Sequence, residues 1–447
     1  MEDDEKPRLP MDIIFKIPAH ITDPATLVRA ASSHKLWHNL IKDSTFLDGL
    51  KKRHSDHGFT SSLLLGFFYQ ESSEAASHLW QHHEDKNRCL APSFISTSEF
   101  IPFHGSKEGC NAVNPLSLAT FLGGIGASLN FYKPVASQDS FLVLCHRSQD
   151  EEGHDMPDLL CVCNPVSGEV FQIPNRRDAS PQYYVLLVTD DVGLDGRMSQ
   201  SFQLVAIWIK GKKFIYNYYC SNTRAWWRPT NVPELMPGHY LISSPAAASH
   251  GGDIHWLCGS WKSMAPTHVC TLTMGQQELS YVDLPPEAKS NKVPLLTSSA
   301  DGGILLLLAK GLQMSLWKHK NESGNDSSNW VLSETIDLTT SLAMRLQMIP
   351  HMAKFRLEIF RGKSGAVVLW IEEEGLYLFC LSDRSMRKID NENVTKKYFF
   401  CPYEIDWLSC LAVTNLVVDG SLDGGRKKIH CRWKTLMAES VSNNAMP

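Results

Sequence analysis

From about Phe94 to Cys431 the apolar residues come in short runs broken by Gly, Pro, Asn and Asp, the rhythm of strands and turns. The runs are Phe141–Cys145, Leu159–Cys163, Val170–Ile173, Tyr183–Val188, Phe202–Ile209, Lys213–Tyr219, Ile254–Leu257, Ile304–Leu308, Met314–Trp317, Ala366–Ile371, Leu376–Leu381 and Cys410–Val418. Asn164-Pro165-Val166-Ser167-Gly168, Lys210-Gly211-Lys212 and Glu374-Gly375 supply explicit turn chemistry between them. No sustained helical period interrupts, so an alternating βαβ sheet is not expected. Arg8 to Leu50 has a different grammar. Ile13, Ile14 and Ile17 form one apolar side. Asp23 offers an N-cap with Pro24 at the first helical position, and Leu27, Val28 and Ala31, then Trp37, Leu40 and Ile41, follow at helical spacing. A last turn from Asp43 or Ser44 carries Phe46, Leu47 and Leu50.

Four regions are predicted: a helical module at 1–55, a linker and surface segment at 56–93, an all-β domain at 94–435 and a tail at 436–447. The linker holds an apolar burst, Leu63 to Phe68, and Ser72 to Lys107 reads as a polar surface excursion. Trp208, Trp256, Trp317 and Trp370 recur at intervals of 48, 61 and 53 residues. Spacings near ~45–50 residues suggest propeller blades of four strands each. The expected architecture is a small all-α module followed by a six- or seven-bladed β-propeller, with a large β-sandwich as the alternative.

Composition narrows the function classes. The chain of 447 residues is 43% apolar and 20% charged, with a net charge of −5, so a concentrated basic nucleic-acid surface is not expected. Lys51-Lys52-Arg53-His54 reads as a solvated helix end. MEDDEKPR is followed by no apolar leader core, and runs such as Ile304–Ala309 are too short to span a bilayer, so no membrane partner is expected. Twelve cysteines stand singly. Cys161 and Cys163 would share a strand face, and reduced core thiols in a cytoplasmic or nuclear protein are predicted. The glycosylation-like matches at Asn321, Asn325 and Asn393 then carry no meaning.

Candidate chemistry is thin. His250-Gly251-Gly252 resembles an esterase oxyanion loop but lacks a Gly-x-Ser-x-Gly elbow, and reads as a hairpin turn. His78 and His82, near His83, Glu84 and Cys89, lack zinc-ligand spacing. Asp190-Asp191 and Glu372-Glu373-Glu374 fit solvated carboxylates better than paired acid–base groups. No catalytic residue, metal or cofactor is expected. Trp226, Trp227, Tyr240 and Trp261 sit beside turn-rich phrases and are candidate target contacts, because a rigid aromatic ring buries much area at low entropic cost. Packing between blades is the competing role for them.

The order of elements at the N-terminus, LP, helix, DP-x-x-L-x-R-A and K-x-W-x-x-L-I, resembles the F-box family. Leu9, Pro10, Ile13, Ile17, Asp23, Pro24, Leu27, Arg29, Ala30, Lys35, Trp37, Leu40, Ile41 and Phe46 carry the match. Pro18 falls late in the first helix, and His38 stands where that family commonly has arginine. The phrases Leu159–Pro174, Gly251–Leu257, Ser299–Leu307 and Ser364–Ile371 are similar to the F-box-associated propeller of large plant families. The resemblance implies a substrate-recognition subunit of a Skp–cullin–F-box ubiquitin ligase. A Skp-family adaptor, and through it a cullin–RING scaffold, would dock on Leu9, Pro10, Ile13, Ile17, Leu27 and Trp37. The propeller would hold an unidentified target protein. Two other readings stay open: a propeller-based small-molecule binder or hydrolase with an incidental helical N-terminus, and an adaptor-bound scaffold outside ubiquitin transfer.

Overall fold

The computed structural model describes residues 45, 46, 49, 50 and 52 and, between 62 and 406, the strands with most of their connections. Six antiparallel sheets form a six-bladed β-propeller. The sheet order replaces the expectation of six or seven blades with six, and excludes the sandwich. Blade 2 contains β4 (Lys133–Gln138), β5 (Phe141–His146), β6 (Leu159–Asn164) and β7 (Glu169–Ile173). Blade 3 contains β8 (Tyr183–Val192), β9 (Met198–Lys210), β10 (Lys213–Cys220) and β11 (Ala225–Trp227). In blade 4 the first strand is split into β12 (His239–Leu241) and β13 (Ala247–Ala248), both paired with β14 (Asp253–Ser260), before β15 (Ala265–Thr273) and β16 (Glu278–Asp283). A helical turn, Pro286–Lys289, leads to blade 5, which is β17 (Leu295–Ser298), β18 (Ile304–Lys310), β19 (Gln313–His319) and β20 (Trp330–Asp337). Blade 6 is β21 (Phe355–Arg361), β22 (Ala366–Ile371), β23 (Gly375–Cys380) and β24 (Met386–Asp390).

Blade 1 is built from both ends of the described chain. Its order is β25 (Lys397–Asp406), β1 (Ser62–Glu71), β2 (Ser93–Ser96) and β3 (Leu116–Ser117). This corrects the sequence reading. The segment 56–93 expected as linker holds β1, whose Ser62 to Glu71 pair with Asp406 to Lys397. The expected polar excursion from Ser72 to Lys107 holds β2, with Phe94 only 1% exposed. Gly66 is required on β1, because a Cβ there would lie 2.1 Å from the Ile95 carbonyl oxygen of β2.

The core is a ring of six apolar seams, one between each pair of neighbouring blades. Successive side chains on a strand point to opposite faces, and each second strand is sandwiched between two blades. Phe141, Val143 and Cys145 of β5 therefore pack toward blade 3, while Leu142 and Leu144 pack toward blade 1. Leu305 and Leu307 of β18 likewise face blade 6, and Ile304, Leu306 and Leu308 face blade 4. Burial on both faces explains why these strands read as unbroken apolar runs. Cys161 and Cys163 share one face of β6 in the seam of blades 1 and 2, as expected, and burial pushes the Cys161 thiol up to about 12. Leu50, 2% exposed, is seated in that same seam, with Phe46 packed one helical turn before it. The tryptophan repeat is only partly structural: Trp208, Trp256 and Trp370 lie on second strands, but Trp317 lies on a third, which accounts for the uneven spacing.

The remaining expected strands and turns between residues 141 and 381 are present, including Gly168, Gly211, Gly252 and Gly375 at positive φ in their turns. His78, His82 and the run Cys410–Val418 lie outside the described residues, as does the tail at 436–447.

Polar groups reinforce the closure on the face bearing the first-to-second-strand turns, here the upper face. The β4–β5 turn places two non-glycine residues, Asp139 (φ 42) and Ser140 (φ 77), in the left-handed region, where side chains are strained. The closing strand holds them: the Tyr403 hydroxyl donates to the Ser140 carbonyl at 2.8 Å, and Ser140 N donates to the Glu404 carbonyl at 3.1 Å. The β21–β22 turn reaches over β25 from the other side. Lys363 Nζ lies 2.8 Å from both Asp139 carboxylate oxygens, and Ser364 N donates to Glu404 Oε1 at 2.9 Å. Arg361 Nη2 donates to the Pro402 carbonyl at 3.3 Å. Blades 6, 1 and 2 are thus clasped across the chain's closure.

Two predictions follow from this packing. The Lys363–Asp139 side chains are 16% and 14% exposed, so Lys363→Met leaves a largely buried carboxylate without its cation. Stability should fall by about 3 kcal/mol in urea unfolding, and adding Asp139→Asn should recover part of that loss. The second concerns His255, 4% exposed on β14, whose Nδ1 lies 2.7 Å from Thr271 Oγ1. Burial first, and His319 nearby, lower its pKa from 6.5 to about 4, against the opposing effect of Asp253. Above pH 6.5 the ring is neutral in both states and its contribution is intact. As pH falls toward 4 only the unfolded chain takes up the proton, so stability drops by about 1.4 kcal/mol per unit. Below about 4 the folded ring titrates too and the loss levels off. His255→Gln should flatten this part of the stability–pH profile.

Candidate functional site

The four aromatic residues singled out by sequence fall into two unequal groups. Trp226 and Trp227 end β11, the three-residue outermost strand of blade 3, which follows the β10–β11 turn on the upper face. Trp226 is half-buried against Tyr219, with ring centroids 5.6 Å apart, and its Nε1 donates to the Pro174 carbonyl of blade 2 at 2.8 Å. It staples two blades together. Trp227 is 50% exposed, and its Nε1 donates to Thr223 Oγ1 at 3.3 Å.

Tyr240 and Trp261 are brought together on the opposite, lower face. Tyr240 is on β12 and Trp261 opens the β14–β15 turn; their rings lie 4.4 Å apart at 37°. The local reason is Gly259, the cross-strand partner of Tyr240. A Cβ on Gly259 would lie 2.6 Å from the tyrosine Cζ, so the ring lies directly on that glycine's backbone. Trp261 N donates to the Gly238 carbonyl at 2.9 Å, which ties the turn to the linker from blade 3. The ring of Trp261 itself is 61% exposed.

Sequence reading missed Met264, the other end of this turn. It is 67% exposed, and its φ of 53 places a large side chain in the left-handed region. The 2.7 Å bond from Met264 N to the Ser260 carbonyl closes the turn. The β6–β7 turn closes in the same way, Gly168 N to Asn164 O at 2.8 Å, but uses glycine at that position. The signal for Met264 was the length of the interval between Ser260 and Ala265, which becomes meaningful only once both strands are placed.

The opposite side of the same sheet, facing blade 3, carries a polar rim. Tyr281 accepts a hydrogen bond from Met236 N at 3.0 Å, and burial pushes its hydroxyl pKa upward. His268 Nε2 lies 3.3 Å from Asp283 Oδ1, which Lys289 also approaches at 3.1 Å. Burial holds the His268 ring below its ordinary range despite the Asp283 carboxylate. Beneath the rim, Cys258 and Cys270 are fully buried, and their mutual contact and burial push the Cys258 thiol up, so these sulfurs are packing atoms.

The other sequence candidates separate from it. Gly252 turns the chain from β13 into β14, as expected of the glycine doublet. Glu374 accepts from Tyr377 at 3.2 Å and Lys388 at 3.3 Å, within its own blade. The adaptor-docking candidates Leu9, Pro10, Ile13, Ile17, Leu27 and Trp37 lie outside the described residues. Among the described residues no helix is long and apolar enough to cross a membrane.

Comparison with known proteins gives one family. The model described as "Domain of unknown function (DUF7595)" matches residues 110–415. No curated protein matches the chain. Among solved structures, TolB from Acinetobacter baumannii is similar at 12% identity and a TM-score of 0.36, over 76% of this chain and 66% of that one. The chain thus spans about two thirds of the TolB length. A chain of a nidogen/laminin complex is similar at 9% identity and a TM-score of 0.35, over 76% and 98% of the two chains. A Lactobacillus plantarum protein is similar at 10% identity and a TM-score of 0.35, over 74% and 83%.

The contrast between the two tryptophan settings is measurable. Trp226→Phe should cost about 1 kcal/mol through the lost interblade hydrogen bond. Trp261→Ala should stay within about 0.5 kcal/mol of wild type, as exposed substitutions do. Thermal unfolding of the two variants side by side checks both.

Proposed function

The chain belongs to the DUF7595 family, and from that premise we propose that it is a non-catalytic substrate receptor of a Skp–cullin–F-box ubiquitin ligase. The helical stretch at 1–55, by its resemblance to the F-box family, docks a Skp-family adaptor through Leu9, Pro10, Ile13, Ile17, Leu27 and Trp37. The propeller holds the target protein. Ubiquitin transfer then proceeds by proximity, since tethering raises the local concentration of target lysines around a conjugating enzyme bound elsewhere in the assembly. The receptor needs no cofactor or metal for this, and it works in the cytoplasm or nucleus.

The observation that carries the reading is the seat of Leu50. The end of the stretch that resembles an F-box is inserted between blades 1 and 2, with Phe46 packed beside it. On this reading, a module whose last turn sits in the seam is coupled mechanically to the propeller. That coupling is what a receptor requires to present a target at a fixed position, whereas a hydrolase with an incidental N-terminus has no use for it. The aromatic lower face supplies a second element, a surface suited to protein contact.

Co-purification of the full chain with a Skp-family adaptor tests the proposal. Wild type should retain the adaptor, and Leu9→Ala with Pro10→Ala should lose at least about tenfold in affinity, as central hot-spot truncations do. Undiminished binding by the double variant, or none by wild type, would sink it.

A further inference from the structure

We propose that His239 and His268 form a proton-operated latch on β12. With both rings neutral the strand is held against β14 and supports the Trp261 turn. With both charged the strand is pushed away and that support is withdrawn. The latch goes beyond the receptor reading and does not rest on it.

The two histidines come from different strands and meet on the side of blade 4 that faces blade 3. His239 opens β12 opposite Ser260, and His268 on β15 stands opposite Cys258, so they approach diagonally across β14. Their ring centroids lie 5.1 Å apart at 74°. His239 Nδ1 lies 3.0 Å from the Pro237 carbonyl, which only accepts. Nδ1 therefore carries the first proton, and Nε2 is the nitrogen left to take up a second. His268 Nδ1 lies 2.9 Å from Thr267 Oγ1. Neither ring can turn away from the other without giving up a bond to its own segment.

The surroundings of His268 disfavour its charged form. Burial comes first in lowering its pKa, Asp283 opposes that, and His239 and Lys289 add to it. Asp283 of β16 lies 3.3 Å from Nε2, but its side chain is 66% exposed and is shared with Lys289 of the following helical turn at 3.1 Å. Its compensation of a charged ring is thus screened and divided. Tyr281 of β16, with ring centroids 6.5 Å away, and Cys258 on the intervening strand both titrate above their ordinary values and stay neutral here. From the blade 3 side, Glu234 is bridged to Lys213 of β10 and presents its backbone carbonyl to the Tyr281 hydroxyl at 3.5 Å. The His268 side chain is only 19% exposed. Two imidazolium rings at this separation and this hydration repel more strongly than they would in water.

β12 is the element that yields. It pairs with β14 over three residues, whereas β15 and β16 pair over six, and it is one half of a first strand already split in two. Tyr240 rides on it, its ring seated on Gly259 and 4.4 Å from that of Trp261. Gly238, just before it, holds Trp261 N by its carbonyl at 2.9 Å. Displacing β12 removes both supports of Trp261 at once. Above pH 6.5 the rings are neutral whether the strand is closed or open, and the latch stays closed. As pH falls below 6.5 the open form takes up protons first, because the closed form holds His268 below its ordinary range. Opening then becomes more favourable by up to about tenfold per pH unit for each proton taken up. Once the ring in the closed form titrates too, the change levels off.

Hydrogen exchange of the full-length chain, read on fragments spanning β12 and on β5 of blade 2 as reference, tests this. With the pH dependence of chemical exchange divided out, protection of β12 should fall at least about threefold relative to β5 between pH 7.5 and 5.5. His268→Gln and His239→Phe, neither of which can take up a proton there, should each remove most of that fall. Ring signals of His268 in NMR supply a second measurement. Their midpoint should lie below 6.5 in wild type, move up in His239→Phe and move down in Asp283→Asn. Should a variant fail to fold, exchange and the His268 midpoint in wild type still decide. Protection of β12 that tracks β5 at every pH, or that falls equally in folded variants, would overturn the proposal. So would a His268 midpoint at or above 6.5, or one that His239→Phe leaves in place.

Discussion

Everything in this fold depends on joining its two ends. A propeller blade cannot bury its apolar faces alone; each sheet is covered only by its neighbours, and the ring has no free face only if it closes. Here closure falls to the β1–β25 ladder, which pairs residues more than three hundred positions apart along the chain. The seams on both sides of blade 1 draw on that ladder: Leu65, Phe68, Cys401 and Tyr403 face blade 2, and Leu64 and Phe67 face blade 6. Opening it would expose two of the six seams at once. The Asp139–Lys363–Glu404 clasp on the upper face makes physical sense as reinforcement at the position where no covalent connection exists.

This placement separates two jobs on two faces. The upper face at the closure is occupied by side chains that bond to one another and hold a strained turn. The lower face of blade 4, well away from the closure in blade order, can carry exposed aromatic side chains without weakening the ring. The strain stored there, at Met264, is small beside the apolar seams that hold the turn's flanking strands. Leu50 is buried on the closure side, in the seam of blades 1 and 2.

The strands most legible in the sequence were those buried on both faces. FLVLC, ILLLL and AVVLW stand out because both parities are apolar. First and fourth strands carry weaker patterns: β4 reads Lys-Pro-Val-Ala-Ser-Gln and β24 reads Met-Arg-Lys-Ile-Asp, since one side meets a turn, the channel or solvent. β1 was conspicuous as an apolar burst yet assigned to a linker, because its partner lies at the far end of the chain and no local pattern reveals that pairing. Of the candidate contacts, the aromatic residues were visible as types. Their sorting into a staple (Trp226) and an exposed anchor (Trp261) depended on which side of which strand each fell.

By itself, then, the sequence determined the strand grammar, the turn positions and a blade-like period, because these rest on local periodicity and turn chemistry. The tertiary structure alone decided that there are six blades, that Ser62–Glu71 belongs to the ring, and that Leu50 is buried within it. It also decided that Tyr240 stacks on Trp261 beside the exposed Met264 at one turn of blade 4. Those facts depend on pairings between residues distant in sequence, where the free energy is set by which surfaces meet rather than by any run of neighbours.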